Sequence, residues 1–176
     1  MITVSGPPGS GTTTAAEHVA ARLGIVLVPG GKVFRAMATE RGLTLPAFGL
    51  YAAEHPEVDV ELDRRLAARA REGDVVIESR LAGWMVRNEG LVATTVWIDC
   101  DPAARAERVA AREGVAVARA RADNDERQAV ERARYMALYG LDLADLSVYD
   151  LVLDSVALGP AELADRIVEA ARKLFA

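Results

Sequence analysis

Gly6-Pro7-Pro8-Gly9-Ser10-Gly11-Thr12-Thr13-Thr14 follows directly on the run Ile2-Thr3-Val4-Ser5 near the start of the 176-residue chain. The β-branched run reads as a short buried strand, and the Gly/Pro-rich stretch after it as a turn. Beyond the turn, Ala15, Ala16, Val19, Ala20 and Leu23 recur at helical spacing, which predicts a helix over about 12–23. In a strand–glycine turn–helix unit the backbone can wrap an anion, with the amides of the helix start pointing at it. The stretch nearly satisfies G-x-x-x-x-G-K-[ST], the pattern of a loop that cradles nucleotide phosphates. Thr13 occupies the position whose hydroxyl coordinates Mg²⁺. Thr12 stands where the pattern has lysine, so one positive charge is missing. A plain structural turn is the alternative, and its placement between first strand and first helix weighs against it.

Working outward, Ile25–Val28, Asp74–Glu78, Thr95–Asp99 and Leu151–Leu153 read as four further short strands. Between them, 32–70 reads as helices broken near Gly42-Leu43 and His55-Pro56, with Leu62, Leu66 and Ala70 at helical spacing. Asp101-Pro102 predicts a capped helix start, and Gly159-Pro160 opens a last helix with the stripe Leu163, Ile167, Val168 and Ala171. Short apolar strands alternating with helices predict an α/β fold, a five-stranded parallel sheet flanked by helices. The helical stretches 32–70 and 103–140 lie between strands and could serve as mobile covers.

Composition narrows the function classes. The chain is 51% hydrophobic and 27% charged, ordinary for a soluble globular protein and enough for one sizeable core. Its apolar runs fall far short of a membrane span, and no basic secretory leader opens it, so an intracellular, cytoplasmic single domain is expected. Cys100 is the only cysteine, which excludes an internal disulfide and a Cys-rich zinc site. Net charge is −5, against the basic face a nucleic-acid binder needs. Of the 21 basic residues all but Lys32 and Lys173 are arginine, and eight arginines fall between Arg105 and Arg134. Such a local cluster in an acidic protein suits a small polyanion such as a nucleotide.

Three more segments could carry chemistry. Gly30-Gly31-Lys32-Val33-Phe34-Arg35 places a glycine pair after a strand and an arginine one turn later, a second potential anion site; a turn with a solvated arginine reads equally well. Glu78-Ser79-Arg80-Leu81-Ala82-Gly83-Trp84 sits at the carboxyl end of the third strand, where open α/β sheets bind ligands. Arg80 is therefore aimed into the phosphate-loop crevice, while Trp84 reads as core rather than as a base-stacking platform. Arg127, Glu131 and Arg134 are spaced by four and three, on one helical face. Taken alone, a solvated salt-bridge stripe explains them better.

Together these residues resemble the cytidylate kinases, specifically the short type common in archaea. The resemblance spans essentially the whole chain through SGPPGSGTTT at 5–14, GGKVFR at 30–35, ESRLAGW at 78–84 and RYMALYGLDLADLSVYDLVLD at 134–154. It implies an adenylate-kinase-like fold with a core at 1–30, 73–104 and 150–176, a monophosphate-binding cover at about 31–72 and a lid at about 105–140. It implies that Gly6 to Thr14, with Arg108 and Arg112 at the lid base, bind ATP with Mg²⁺. Gly31, Arg35, Arg80, Glu131 and Arg134 would bind CMP or dCMP, and Arg80, Arg127 and Arg134 would serve catalysis. Glu131 stands where the family pattern R-x-x-x-D-x-x-R has aspartate. Members carrying threonine at the lysine position are part of this resemblance too.

The expected activity is transfer of the ATP γ-phosphoryl group to CMP or dCMP by a monomeric enzyme, with lid arginines supplying the charge that Thr12 lacks. Two rivals stay open at this point. One is another small-molecule phosphotransferase, of shikimate or adenylate kinase type. The other is a regulatory module that binds nucleotide and has lost catalysis with the lysine, although such a module has no use for Arg35 and Arg80 around a second anion.

Overall fold

The computed structural model describes residues 1–174, and Phe175 and Ala176 at the end of the expected core lie outside the described residues. Five strands, β1 (Ile2–Ser5), β2 (Val26–Pro29), β3 (Val75–Glu78), β4 (Thr94–Asp99) and β5 (Leu151–Asp154), form one sheet in the order β2-β3-β1-β4-β5. Every pairing is parallel, as the near-continuous apolar runs predict. The central strands are the most apolar because both sheet faces are covered; β1 is buried along its whole length. The chain passes from β1 out to β2 and back through β3, then crosses to the other side of β1 at β4. The loop after β1 thus stands at the point where the winding reverses, where such sheets bind ligands.

One face is covered by α1 (Thr12–Leu23) and α8 (Pro160–Leu174). Ala15, Ala16 and Val19 of α1 and Leu163, Ile167 and Val168 of α8 close on Val4, Val76, Val96 and Ile98. The stripe in the last helix is buried as its spacing predicts, at about 1.5–3 kcal/mol for each large side chain. Alanines along α1 let that helix lie close to the sheet, which sets the depth of the loop preceding it. The other face carries α4 (Glu57–Arg71) and α5 (Ala82–Asn88), with Leu66, Ala70, Met85 and Val86 over Val75 and Ile77.

The cover expected at 31–72 consists of α2 (Gly30–Glu40), α3 (Leu45–Glu54) and α4, around a small core of Met37, Phe48, Ala52 and Val58. Phe34 packs on Phe48 with ring centroids 4.7 Å apart. The stretch expected as a lid, 105–140, falls in a helical hairpin, α6 (Pro102–Glu113) and α7 (Val117–Tyr139), turned at Gly114 and joined by Val109, Ala110 and Ala120. Asp101 caps α6 through the amides of Ala103 and Ala104, as read from the sequence. Among the described residues no helix is long and apolar enough to cross a membrane.

Two local readings need correction. The second strand is displaced by one residue, because the Ile25 amide bonds Ala20 O and completes the C-terminal turn of α1 beyond Gly24. Gly30-Gly31 is not a turn ahead of a helix but the first turn of α2 itself, with extended Pro29 as its cap residue.

Candidate active site

The loop between β1 and α1 turns tightly, with the Ser10 amide bonded to the Pro7 carbonyl at 3.1 Å, and delivers the chain to the start of α1. Gly6 has no room for a side chain: a Cβ there would lie 2.4 Å from the Ile98 carbonyl oxygen. Gly9 has φ +82° and rests on α6, where a Cβ would meet the Arg105 carbonyl oxygen at 2.9 Å. The amides of Thr12, Thr13 and Thr14 begin α1 and have no intrahelical acceptor, and no side chain caps them. Ser10 is fully buried with its Oγ unpartnered. The amides at the start of α1 and the positive end of that helix therefore converge on one space, as a bound phosphate requires.

Two cavities meet at this loop and share Gly9, Thr12, Thr13 and Arg112 on their linings. The smaller, about 510 Å³, is walled by the loop, Arg108, Ser155 and Leu158. Arg108 is fixed there by neutral partners: its Nη1 donates to Ser155 Oγ at 2.8 Å and its Nη2 to the Ser155 carbonyl at 2.8 Å. Arg112 is exposed and pairs with Glu113 at 2.7 Å.

The larger cavity, about 910 Å³, gathers the remaining residues singled out in the sequence: Pro7 and Pro8, Gly31, Arg35, Arg80, Arg127, Glu131 and Arg134. Exposed Arg35 reaches back over Gly31, whose Cβ position would lie 3.6 Å from its Nη1. Arg80 Nε donates to Glu131 Oε2 at 2.7 Å, and Arg127 Nε to Glu131 Oε1 at 2.8 Å. One carboxylate thus orients two guanidiniums across the cavity. Burial would raise the Glu131 carboxyl, but the charges of Arg80 and Arg127 outweigh it and hold the group below its ordinary value. Arg134 Nε lies 3.0 Å from Asp59 Oδ2, with both atoms buried and misaligned for a hydrogen bond. Burial raises the Asp59 carboxyl, against the pull of Arg134. Trp84 is half-buried and does not line either cavity.

Sequence reasoning missed three carboxylates. Glu78 Oε1 accepts from Thr12 Oγ1 at 2.8 Å and lies 3.4 Å from Thr13 Oγ1; its place at the strand end was the available signal. The Thr13 hydroxyl and the Glu78 carboxylate are hard oxygen donors of the kind Mg²⁺ takes, so the residues present fit that ion. Asp59 and Asp63 lie one turn apart on α4, inside an acidic run that reads as a solvent face. Tyr139 Oη donates to Asp63 Oδ2 at 2.6 Å, so α4, in the stretch expected as a cover, and α7, in the one expected as a lid, are joined twice.

Burial pushes the Asp63 carboxyl up to about 6, only partly offset by the Tyr139 hydrogen bond. A folded-state value above the unfolded one means the folded protein holds its proton longer. Stability is therefore lost as pH rises from about 4 through 6. Asp63→Asn is expected to melt higher than the unmodified protein at pH 7.5, by about 3 kcal/mol of stability, and to keep only about a third of that advantage at pH 4.5. Parallel melting curves at both pH values check this; an equal difference at both would refute it.

The loop thus carries a threonine bonded to Glu78 where its pattern has a lysine, with arginines arrayed opposite. Residues 1–157 match the model of the cytidylate kinase-like family. The chain belongs to that family. Among its relatives, the cytidylate kinase of Pyrococcus furiosus is 50% identical over 160 residues, covering 91% of this chain and 82% of that protein. The cytidylate kinase of Halorubrum lacusprofundi is 45% identical over 170 residues, covering 96% and 87%. The sheet and its helices also superpose on the shikimate kinase of Acinetobacter baumannii, with a TM-score of 0.62 at 15% identity over 98% of this chain and 92% of that one. At that identity the likeness concerns the fold alone. Membership in the family makes the protein a nucleoside monophosphate kinase by descent, and the two cavities are where that chemistry has to be sought.

Proposed function

We propose that the protein transfers the γ-phosphoryl group of ATP to CMP or dCMP, giving ADP and CDP or dCDP. The observation that carries the reading is the pair of cavities meeting at Thr12 and Thr13, one beside the uncapped start of α1 and the other ringed by Arg35, Arg80, Arg127 and Arg134. A module that only sensed ATP would have no need of the second anion site. The choice of cytidylate rests on the named relatives.

Phosphoryl transfer asks little covalent work of a protein; it needs in-line positioning and neutralised charge. In this reading the smaller cavity takes the nucleoside end of ATP beside Arg108, and the loop amides hold its phosphates. Arg35 and Arg80 hold the acceptor phosphate, with Arg80 aimed by Glu131. Arg127 and Arg134 face the space between the two and stabilise charge on the group in flight. Thr13, and Glu78 through water, would hold Mg²⁺, which supplies charge neutralisation on the triphosphate when bound. Closure of α6–α7 over the cover would keep water from taking the phosphoryl group.

The test is ADP release from MgATP measured across all nucleoside monophosphates. Turnover confined to CMP and dCMP is expected, and absence of turnover with any pyrimidine monophosphate would end the proposal. A second expectation concerns the missing lysine. A lysine at 12 would meet Glu78, the present partner of the Thr12 hydroxyl, and would pair with it instead of reaching the phosphates. Thr12→Lys is thus expected to leave kcat within about threefold of the unmodified enzyme or below it. A tenfold or greater gain would show that the loop lacks only the lysine.

A further inference from the structure

Among the described residues one buried guanidinium has no carboxylate at ion-pair distance and no use in the mechanism above. Arg105, in the first turn of α6, is only 3% exposed. Its Nη1 donates to the Pro8 carbonyl at 3.4 Å, and its Nε has no partner. Among the described residues no carboxylate lies within ion-pair distance of it. Asp125, a carboxylate whose charge reaches it, is exposed and already bonded to Arg121 at 2.8 Å. Arg80 and Arg121 add further positive charge to its surroundings. Burial accordingly pushes the guanidinium below its ordinary value, the direction of a cation without a partner.

A buried unpaired charge is costly, and an apolar side chain of similar volume would serve the fold better. Packing therefore gives no reason for an arginine here, whereas an anion bound on the far side of the loop gives one. Pro8 and Gly9, the residues Arg105 touches, belong to the loop that leads into the uncapped start of α1. Arg108, one turn on, likewise donates to a loop carbonyl, that of Ser10, at 3.4 Å. The two arginines hold loop carbonyls from behind, leaving amides toward the ligand. Between Arg105 and the loop there is protein instead of water, so its field reaches the phosphates with little damping.

We propose that Arg105 is a positioning residue for phosphoryl transfer, supplying through the phosphate loop the positive charge that Thr12 leaves out. This rests on the reading of the loop as the ATP site. Arg105 acts beside Arg127 and Arg134, which Glu131 and Asp59 hold on the cavity side, and differs from them in being a fixed, buried cation behind the loop.

The experiment compares Arg105→Met, Arg105→Gln and Arg105→Lys with the unmodified protein. The readouts are thermal melting with and without MgATP, and kcat and KM for ATP and CMP. Arg105→Met is expected to melt at or above the unmodified protein when free, while its MgATP-induced rise in Tm shrinks and kcat falls about 10- to 100-fold. KM for CMP should stay within about twofold, since the acceptor arginines are untouched. Arg105→Lys should recover most of the kcat, because charge and not shape is at stake. Arg105→Gln, which can still donate to the Pro8 carbonyl, should behave like Met and serves in its place if Met prevents folding. An undiminished MgATP shift and kcat in the uncharged variants would overturn the proposal, and so would a Lys variant as poor as Gln. If the unmodified protein turns over no pyrimidine monophosphate yet is stabilised by MgATP, the substrate reading fails and Arg105 is judged on the melting shift alone.

Discussion

Arg80→Ala is expected to lower kcat/KM for CMP by roughly 10²–10⁴-fold, the loss typical of removing a desolvated charged donor from a bound anion. Its side chain is only 15% exposed and is held by Glu131 at 2.7 Å, so its direction is set before any ligand arrives. KM for ATP should change little, because Arg80 is absent from the lining of the cavity beside the loop and Arg108. The fold should survive, since Glu131 keeps Arg127 as a partner. Steady-state kinetics with each substrate varied in turn make the comparison. Unchanged efficiency with CMP would reduce Arg80 to a structural residue and move the acceptor site elsewhere.

Removing the partner has the opposite signature. Glu131 is 10% exposed and is the carboxylate that compensates Arg80. Glu131→Ala leaves a buried guanidinium unpaired, which costs about 3–5 kcal/mol. For a chain of this length that is a fall of about 10 °C in Tm. Here CMP should restore part of the loss, because its phosphate dianion supplies the missing counter-charge to Arg80. A melting temperature unaffected by the substitution, or a loss that CMP leaves untouched, would show that Glu131 does not perform this service.

What could be read from the sequence, and what could not, follows from the range of the forces involved. All five strands and the loop after β1 were legible because burial on both sheet faces writes itself as local apolar runs. The spacing of Arg127, Glu131 and Arg134 placed them on one face correctly. That this face turns inward was not legible, since it depends on Arg80, 51 residues away. Asp59 and Asp63 were hidden for the same reason: in Glu-Val-Asp-Val-Glu-Leu-Asp at 57–63 acids alternate with apolar residues as on a solvent face. What distinguishes two of them is that Arg134 and Tyr139 of α7 reach across to Asp59 and Asp63. Glu78 could have been found, because it ends the strand beside the one carrying the loop. Gly30-Gly31 misled because glycine usually stops helices, whereas here Pro29 holds the extended conformation just before α2.

The double join between cover and lid, Asp59 with Arg134 and Asp63 with Tyr139, has a bearing on how the two substrates sense one another. A cover and a lid that moved independently would each pay their own ordering entropy, and each substrate would bind as though alone. With α4 fastened to α7 at two points, ordering either body orders much of the other. The second substrate to arrive then finds part of that entropy already spent. Linkage requires the benefit to be mutual: whatever factor CMP lends to ATP affinity, ATP lends to CMP. Synergy between donor and acceptor is in this view a property of two side-chain pairs, of which only the one with Arg134 also faces the phosphoryl group in transit.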